Sequence, residues 1–235
     1  MEKVKYKYYS SEQIEIESID IRLTEEEKII RRYLMNYVIN NDQAFNISDL
    51  YKITEDVKMV DKKNITRILE NLLKKNAAVV HDNNINFIYP VSAISTHHKV
   101  TLRDGRNFSA MCAIDAIGTS FTFKQDVEIN SSCSHCDERV NVNIKDSKLN
   151  TYEPDDLHIL HVDLNKNTNW SGNCWNIMNF FCTKNHYDAW VAEMKLDESD
   201  IFCLTPEEAM YVAKMLFSVT DIWNSRPILL KINPK

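Results

Sequence analysis

The sequence predicts an α+β protein in which a winged-helix-like domain of three helices precedes a domain with a mixed or antiparallel β-sheet and flanking helices. Apolar residues recur at helical spacing between residues 24 and 75. Short β-branched or aromatic segments separated by turn residues follow residue 96. The expected division is an N-terminal extension over residues 1–22, the winged-helix-like domain over 23–92 and the second domain over 93–235.

The N-terminal helices are predicted from capping residues and apolar spacing. Thr24 can cap the first helix, and three glutamates fill its first turn, where negative charge suits the helix dipole. Ser48 opens a short second helix, and Asp61 opens a third with one apolar stripe: Ile65, Ile68, Leu69, Leu72 and Leu73. A hairpin follows, with strands at 78–81 and 85–89. Three helices before a hairpin are typical of a winged helix.

The winged-helix pattern leaves two functions open for residues 20–90. The third helix carries basic residues that would suit DNA: Lys62, Lys63, Arg67, Lys74 and Lys75. However, acidic and basic side chains are equal in number across residues 20–90, whereas DNA-binding domains usually have a basic footprint. We therefore expect a packing or substrate-covering domain and do not expect nucleic acid as a partner.

The second domain is predicted from turns and short strands. Asp104-Gly105 is a strong hairpin signal between strands at 99–102 and 106–108. Further strands are expected at 121–123, 127–129, 140–144 and 158–164. Thr205 caps a helix that runs from about Pro206 to Ser218.

Composition excludes several classes of protein. The formal charge of -6 gives no general attraction to nucleic acid or anionic membranes. No apolar segment approaches the roughly 20 residues of a membrane span, and residues 1–11 lack the apolar run of a signal peptide. Residues 1–21 show no clear period, and we expect them to add a strand or lie over the surface. We expect a soluble, cytoplasmic protein whose six cysteines are free thiols.

One cysteine and one carboxylate are predicted to share a helix face. Ser109 to Gly118 is interpreted as a compact helix, with Ser109 as its cap and Gly118 as its stop. Cys112 lies in its first turn, where the helix dipole would lower the pKa of the thiol, and Asp115 follows at i+3. Alternatively, Cys112 is a small buried hydrophobe and Asp115 a surface or capping carboxylate.

Several motifs around this pair resemble the alkylmercury lyase family. The segments that lead into its first catalytic cysteine are similar in order and spacing to Tyr89–Ser92, Thr96–Val100, Asp104–Gly105 and Met111–Gly118. Ile129–Cys133 resembles the family's strand that ends in a structural cysteine. Asn179–Trp190 resembles the strand and helix that follow the family's second catalytic cysteine. The resemblance runs from about residue 85 to 220 and implies an alkylmercury-lyase-like second domain.

Carried over to this sequence, the resemblance makes Cys112 the first thiol and Asp115 the carboxylate. Counting back from Phe180, the second thiol should fall at about Trp175, whereas the cysteine present is Cys174. A one-residue shift in a strand turns a side chain to the other face, so either a bulge or loop shift restores Cys174, or the site has one thiol. We favour the shift, because the preceding Ser171-Gly172 is loop-like.

The resemblance implies an enzyme that cleaves carbon–mercury bonds by protonolysis, as in mercury resistance. Mercury is soft and binds thiolates in a near-linear arrangement, so Cys112 and Cys174 would bind the metal. Asp115 would take a proton from a thiol and deliver it to the leaving carbon, which works best if burial raises its pKa. The product Hg²⁺ would stay on Cys112, Asp115 and Cys174 until low-molecular-weight thiols or a downstream mercury-handling protein accept it. No organic cofactor is expected.

A second cysteine set has the spacing of a zinc site. Cys133 and Cys136 form a C-x-x-C motif, and Cys182 and His186 form a C-x-x-x-H motif. Tetrahedral structural Zn²⁺ takes such paired ligands. Alternatively, these residues are buried thiols and an exposed redox-capable pair.

Other residues near the candidate site have simpler expected roles. Three tryptophans either wall an apolar pocket for the organic group or pack in the core: Trp170, Trp175 and Trp190. His97 and His98 are not expected to bind a metal together, because adjacent strand residues face opposite ways. Cys203 is expected in the core.

A non-catalytic function remains as an alternative to the lyase. On the same fold, the chain would be a soft-metal-binding protein or metal-responsive regulator that holds Zn²⁺ or Hg²⁺ at the second cysteine set. The displaced Cys174 favours this alternative, and the Cys112/Asp115 helix favours the enzyme. We expect the enzyme.

Overall fold

The computed structural model describes residues 6–7, 9–58, 60–167, 170 and 176–220. The helices of these ranges are α1 Ser11–Ile14, α2 Glu25–Asn41, α3 Leu50–Asp56, α4 Ile65–Lys74, α5 Ala113–Phe123, α6 Lys184–Met194 and α7 Pro206–Phe217. The strands are β1 Phe45–Asn46, β2 Val79–His81, β3 Asn84–Ile88, β4 Val91–Ser92, β5 Lys99–Leu102, β6 Asn107–Ala110, β7 Val127–Ser132, β8 Arg139–Lys145, β9 Lys148–Glu153, β10 His158–Val162, β11 Phe180–Phe181 and β12 Ile201–Leu204. None of the described helices is long and apolar enough to cross a membrane.

The strands form two antiparallel sheets, which agrees with the predicted α+β class. The larger sheet has nine strands in the order β1-β3-β4-β6-β5-β7-β8-β9, with β2 paired to β3. The smaller sheet has the order β11-β10-β12. Strand β4 pairs with β3 on one side and β6 on the other, so the larger sheet continues across residue 92.

Helices α2 and α4 are joined by a buried carboxylate. Thr24 and Glu27 form a capping box at the start of α2. The Glu27 side chain, 2% exposed, also accepts hydrogen bonds from Asn71 Nδ2 at 2.9 Å and Lys75 Nζ at 2.6 Å. The following β2–β3 hairpin turns through Asp82 and Asn83, both with positive φ. The predicted helices and hairpin of this region are therefore present, with bounds shifted by a few residues.

The N-terminal extension is packed into the core. Ile14 and Ile19 are buried, although residues 1–21 were expected to add a strand or lie over the surface. Ile19 N donates to Leu216 O at 3.0 Å, and Ser18 Oγ donates to Ser218 O at 2.9 Å. The described part of the extension is thus anchored to the end of α7, because its apolar residues find a partner there.

Helix α5 begins and ends later than predicted. Ser109 lies in β6, where it pairs with Lys99 and Ser92 instead of capping a helix. Gly118 does not stop the helix; a Cβ there would lie 2.1 Å from Cδ2 of Phe217, so glycine permits the close approach of α7. The predicted strand at 121–123 is consequently the last turn of α5. The buried α5 packs against α7 and against β5, β6 and β7.

Candidate active site and metal centre

The N-terminus of α5 brings Cys112 and Asp115 into contact. Cys112 is the N-cap, with extended backbone, and its Sγ accepts from Asp115 N at 3.4 Å. The thiol donates to Asp115 Oδ2 at 2.9 Å. The next residue, Ala113, donates its N–H to Met178 O at 2.9 Å, which ties this helix end to the segment before β11. The two residues predicted from sequence therefore form one hydrogen-bonded pair.

Burial sets the ionisation of this pair. It raises the pKa of Asp115 to about 7, although hydrogen bonds with Cys112 and the charge of Arg31 oppose the change. This direction agrees with the sequence prediction. Burial and the neighbouring Asp115 charge also raise the pKa of the Cys112 thiol well above its usual value. The expectation that the helix dipole lowers this pKa is wrong, because desolvation outweighs the hydrogen bonds at the helix end.

The pair faces a small, largely apolar cavity. Its walls come from residues that are far apart in the chain: Tyr89, Met111, Ile114, Leu164, Trp170, Met178 and Leu216, together with Cys112 and Asp115. Trp170 therefore lines the cavity, which agrees with the alternative in which the tryptophans wall an apolar pocket. Trp190 lies in a separate outer groove, and Trp175 falls outside the described residues. A carboxyl and a thiol are the reactive groups among these walls.

Sequence reasoning missed Arg31, a buried cation on α2 behind the cavity. It is 1% exposed, and its Nε and Nη2 donate to Tyr89 O at 3.2 and 2.6 Å. Its Nη1 lies 4.0 Å from Asp20 Oδ1. Burial lowers the pKa of Arg31 to about 10, which the charges of Asp20 and Asp115 oppose. The sequence held one signal that Arg31 is buried. The residues three, four and seven positions later are the apolar Leu34, Met35 and Val38, so Arg31 lies on the apolar face of its helix.

The second predicted thiol, Cys174, lies outside the described residues. Two cavity-lining residues lie four positions from it in the chain, Trp170 before it and Met178 after it.

The second cysteine set converges on one point. The potential ligand atoms of Cys133, Cys136, Cys182 and His186 all lie within 4.8 Å of one another. Cys133 Sγ is 3.7 Å from His186 Nδ1, and Cys136 Sγ is 3.5 Å from Cys182 Sγ. Cys203 is not part of this set and is buried in β12, as expected. The four predicted ligands are thus brought together by the β7–β8 turn and the start of α6.

Backbone contacts connect this cysteine set to the candidate active site. Cys182 N donates to Cys133 Sγ at 3.4 Å, and Ser134 N donates to Phe180 O at 3.1 Å. Burial alone would raise the pKa of the Cys133 thiol. Backbone N–H groups that donate to its sulfur, above all that of Cys182, outweigh burial and lower this pKa to about 7. Since Met178 holds the start of α5, the strand between the two sites contacts both.

Comparisons with known proteins identify the fold and the family. A solved structure described as the mercury-bound form of MerB2 is similar, with a TM-score of 0.66 and 24% sequence identity over 84% of this chain and 92% of that chain. No curated protein matches the sequence significantly. The family model described as MerB, alkylmercury lyase, matches residues 91–218, more than half of the chain. On this match, the chain belongs to the alkylmercury lyase family.

Proposed function

We propose that the protein is an organomercurial lyase that cleaves carbon–mercury bonds by protonolysis. The observation that carries the proposal is the 2.9 Å contact between Cys112 Sγ and Asp115 Oδ2 inside a largely apolar cavity. Such a reaction needs a soft thiol ligand for mercury and a carboxyl that exchanges protons near neutral pH, and this pair supplies both. The apolar walls suit an alkyl or aryl group on mercury.

The first step transfers the organomercurial to Cys112. The thiol passes its proton to the ionised Asp115, the Cys112 sulfur binds mercury, and the thiolate that carried the mercurial departs. Asp115 is suited to this step because it already accepts the thiol hydrogen bond. Its pKa of about 7 leaves it partly ionised at neutral pH.

The second step breaks the carbon–mercury bond. Cys174 binds mercury as the second thiolate, its proton replaces the one that Asp115 gives to the leaving carbon, and the products are R–H and Hg²⁺. Cys112, Asp115 and Cys174 then hold Hg²⁺ until external low-molecular-weight thiols or a downstream mercury-handling protein accept it. No organic cofactor takes part in this scheme.

The position of Cys174 in the chain supports its role as the second thiol. It lies four residues after Trp170 and four residues before Met178, and both of these side chains line the cavity. The chain between them therefore begins and ends at the cavity wall, within the reach of a few residues.

We also propose that Cys133, Cys136, Cys182 and His186 hold a structural Zn²⁺. Three thiols and one imidazole form a common structural zinc set. For sulfur ligands about 2.3 Å from zinc, a tetrahedron has edges of about 3.8 Å. The sulfur separation of 3.5 Å between Cys136 and Cys182 is close to that edge, and all four ligand atoms lie within 4.8 Å of one another. Zinc would supply a cross-link between the β7–β8 turn and the start of α6.

The remaining assignments are proposals of the same kind. Residues 23–92 would form a winged-helix-like domain, supported by α2, α3 and α4 followed by the β2–β3 hairpin. Residues 1–22 would be an extension of it, and 93–235 the lyase-like domain. We propose a cytoplasmic location, which the free thiols of the five described cysteines favour. Nucleic acid and membranes are not proposed as partners.

The test is hydrocarbon release. The reduced protein is incubated with methylmercury and excess thiol, and methane is measured for wild type, Cys112→Ala, Asp115→Ala and Cys174→Ala. Cys203→Ala is the matched control, because this buried thiol lies in β12 and is a member of neither site. We expect methane from wild type and the control and a loss of activity in the other three variants. Full activity in Cys174→Ala would overturn the two-thiol mechanism.

A wild-type protein that binds the mercurial without releasing hydrocarbon would support the alternative function. The converging ligands of the second cysteine set favour a metal-binding role even without catalysis. In that case the chain is a soft-metal-binding protein or regulator on the same fold.

A further inference from the structure

A second, larger groove lies against the outer side of the candidate active site. Its walls combine apolar surface with polar side chains, which include Thr96, His97, Ser134, Asp137 and Asn176. The groove is more open to solvent than the apolar cavity that contains Cys112 and Asp115. The two compartments thus differ in both polarity and access.

The groove and the cavity share a wall at the reactive thiol. Met111 lines both compartments and directly precedes Cys112. The two compartments are also separated at Met178 and Asn179, because Met178 lines the cavity and the adjacent Asn179 lines the groove. Asn179 is fixed by buried His98, whose Nε2 lies 3.3 Å from its Oδ1. The buried Met111 side chain therefore separates the two compartments next to the thiol.

A mercurial carried by a thiol matches these two compartments. Mercury binds two ligands in a near-linear arrangement, so R–Hg–SR′ has its organic group and its thiol on opposite sides of the metal. We propose that the groove binds the thiol half of such a substrate, and that the thiol is a small one with an ammonium group. This inference rests on the proposed lyase function. It adds a polar subsite through which the carrier thiol enters and leaves.

Charge in the groove selects the ammonium group. Asp137 is a carboxylate in its wall, and no lysine or arginine belongs to the described residues that line it. An exposed ion pair of this kind changes affinity by up to about fivefold, and salt screens it. In the exchange, the carrier S–Hg bond breaks and the Cys112 S–Hg bond forms. The Cys112 proton passes to Asp115, and the carrier departs as a thiolate.

The experiment compares two carrier thiols of similar size. Methylmercury is presented at low ionic strength as its complex with either 2-aminoethanethiol or 2-hydroxyethanethiol, and kcat/KM for methane release is measured. The variants are Asp137→Asn, which keeps a residue type that tolerates the positive φ of 60° at this position, and the control Glu138→Gln, an exposed neighbour. Zinc content is checked in both, because Asp137 adjoins Cys136.

The readout is the ratio of kcat/KM between the amino and hydroxy complexes. Intrinsic differences between the thiols cancel when variants are compared. We expect Asp137→Asn to lower this ratio by about threefold to fivefold at low salt, and Glu138→Gln to leave it unchanged. An unchanged ratio in Asp137→Asn overturns the proposal.

Failure of the lyase proposal can be separated from failure of this one. If neither complex yields methane, the lyase function is overturned, and equilibrium dialysis of the same complexes against the same proteins still gives the ratio of dissociation constants. A ratio that depends on Asp137 supports the groove in that case, and one that does not depend on Asp137 overturns it.

Discussion

The Cys112 thiol donates a 2.9 Å hydrogen bond to Asp115 Oδ2, and Cys112 and Asp115 are 0% and 3% exposed. A carboxylate in this position is costly to ionise, and an enzyme that needs the ionised form must carry that cost in its folded state. Stability and activity therefore place opposite demands on Asp115.

Asp115→Asn is expected to stabilise the fold at alkaline pH. Folding raises the pKa of Asp115 from 3.8 to about 7, so the stability it contributes is complete below pH 3.8 and is lost as pH rises to about 7. A shift of this size corresponds to about 4 kcal/mol at most. Urea unfolding should therefore give a higher free energy of unfolding for Asp115→Asn than for wild type at pH 8, and similar values near pH 4. Equal stabilities at pH 8 would contradict the buried, ionised carboxylate.

Arg31 is expected to shift the pH dependence of activity. Since Asp115 must be ionised to accept the thiol proton, kcat/KM should rise with pH through about 7. The charge of Arg31 lowers the pKa of Asp115, so Arg31→Met should move this rise to higher pH, whereas Arg31→Lys should largely preserve it. Arg31→Met should also be less stable by about 3–5 kcal/mol, because it leaves Asp20 without this partner. An unshifted pH profile in a folded Arg31→Met protein would exclude this role.

The cysteine and histidine set is expected to retain zinc through purification. Elemental analysis should find a bound zinc ion for each wild-type chain and much less in Cys136→Ser. Cys203→Ala serves as the control, since Cys203 is buried outside the set. A strong chelator should lower the Tm of wild type more than that of Cys136→Ser, because bound metal stabilises the folded state. Equal metal contents in wild type and Cys136→Ser would rule out this zinc site.

Gly118→Ala is expected to destabilise the protein despite alanine's better helix propensity. The added Cβ would lie 2.1 Å from Phe217 Cδ2 and 2.6 Å from its Cγ. Overpacking of this kind costs about 1–3 kcal/mol, more than the roughly 1 kcal/mol gained in the helix. Thermal unfolding of Gly118→Ala, Phe217→Leu and the double variant tests the contact. We expect the glycine substitution to cost less when Phe217 is shortened, and strict additivity would refute the steric explanation.

Elements with a local signal could be predicted from the sequence. Thr24 and Thr205 each cap a helix through a capping box, and β5 has the predicted bounds beside the Asp104-Gly105 turn. The convergence of the four cysteine and histidine ligands also followed from spacing, because two short motifs each confine their ligands to one turn. These features depend on residues close together in the chain.

Features that depend on distant packing were missed. The sequence predicts Ser109 as a helix cap and Gly118 as a helix stop. In the structure Ser109 is paired within the sheet, and Gly118 allows the close approach of Phe217. The raised pKa of Cys112 follows from complete burial, which the helix position alone does not reveal. Arg31 belongs to a helix some 80 residues before Asp115, and sequence spacing gives no indication of their electrostatic interaction.

The passage of the larger sheet across residue 92 has a consequence for any shortened form of the protein. A chain beginning at residue 93 would lack β4, and the N–H and C=O groups of β6 that pair with it would become a free sheet edge. Unpaired sheet edges favour association with other chains, so the segment up to residue 92 protects this edge of β6. A chain cut at residue 93 would therefore not be a self-sufficient unit, because the strand that covers the edge of β6 would be missing.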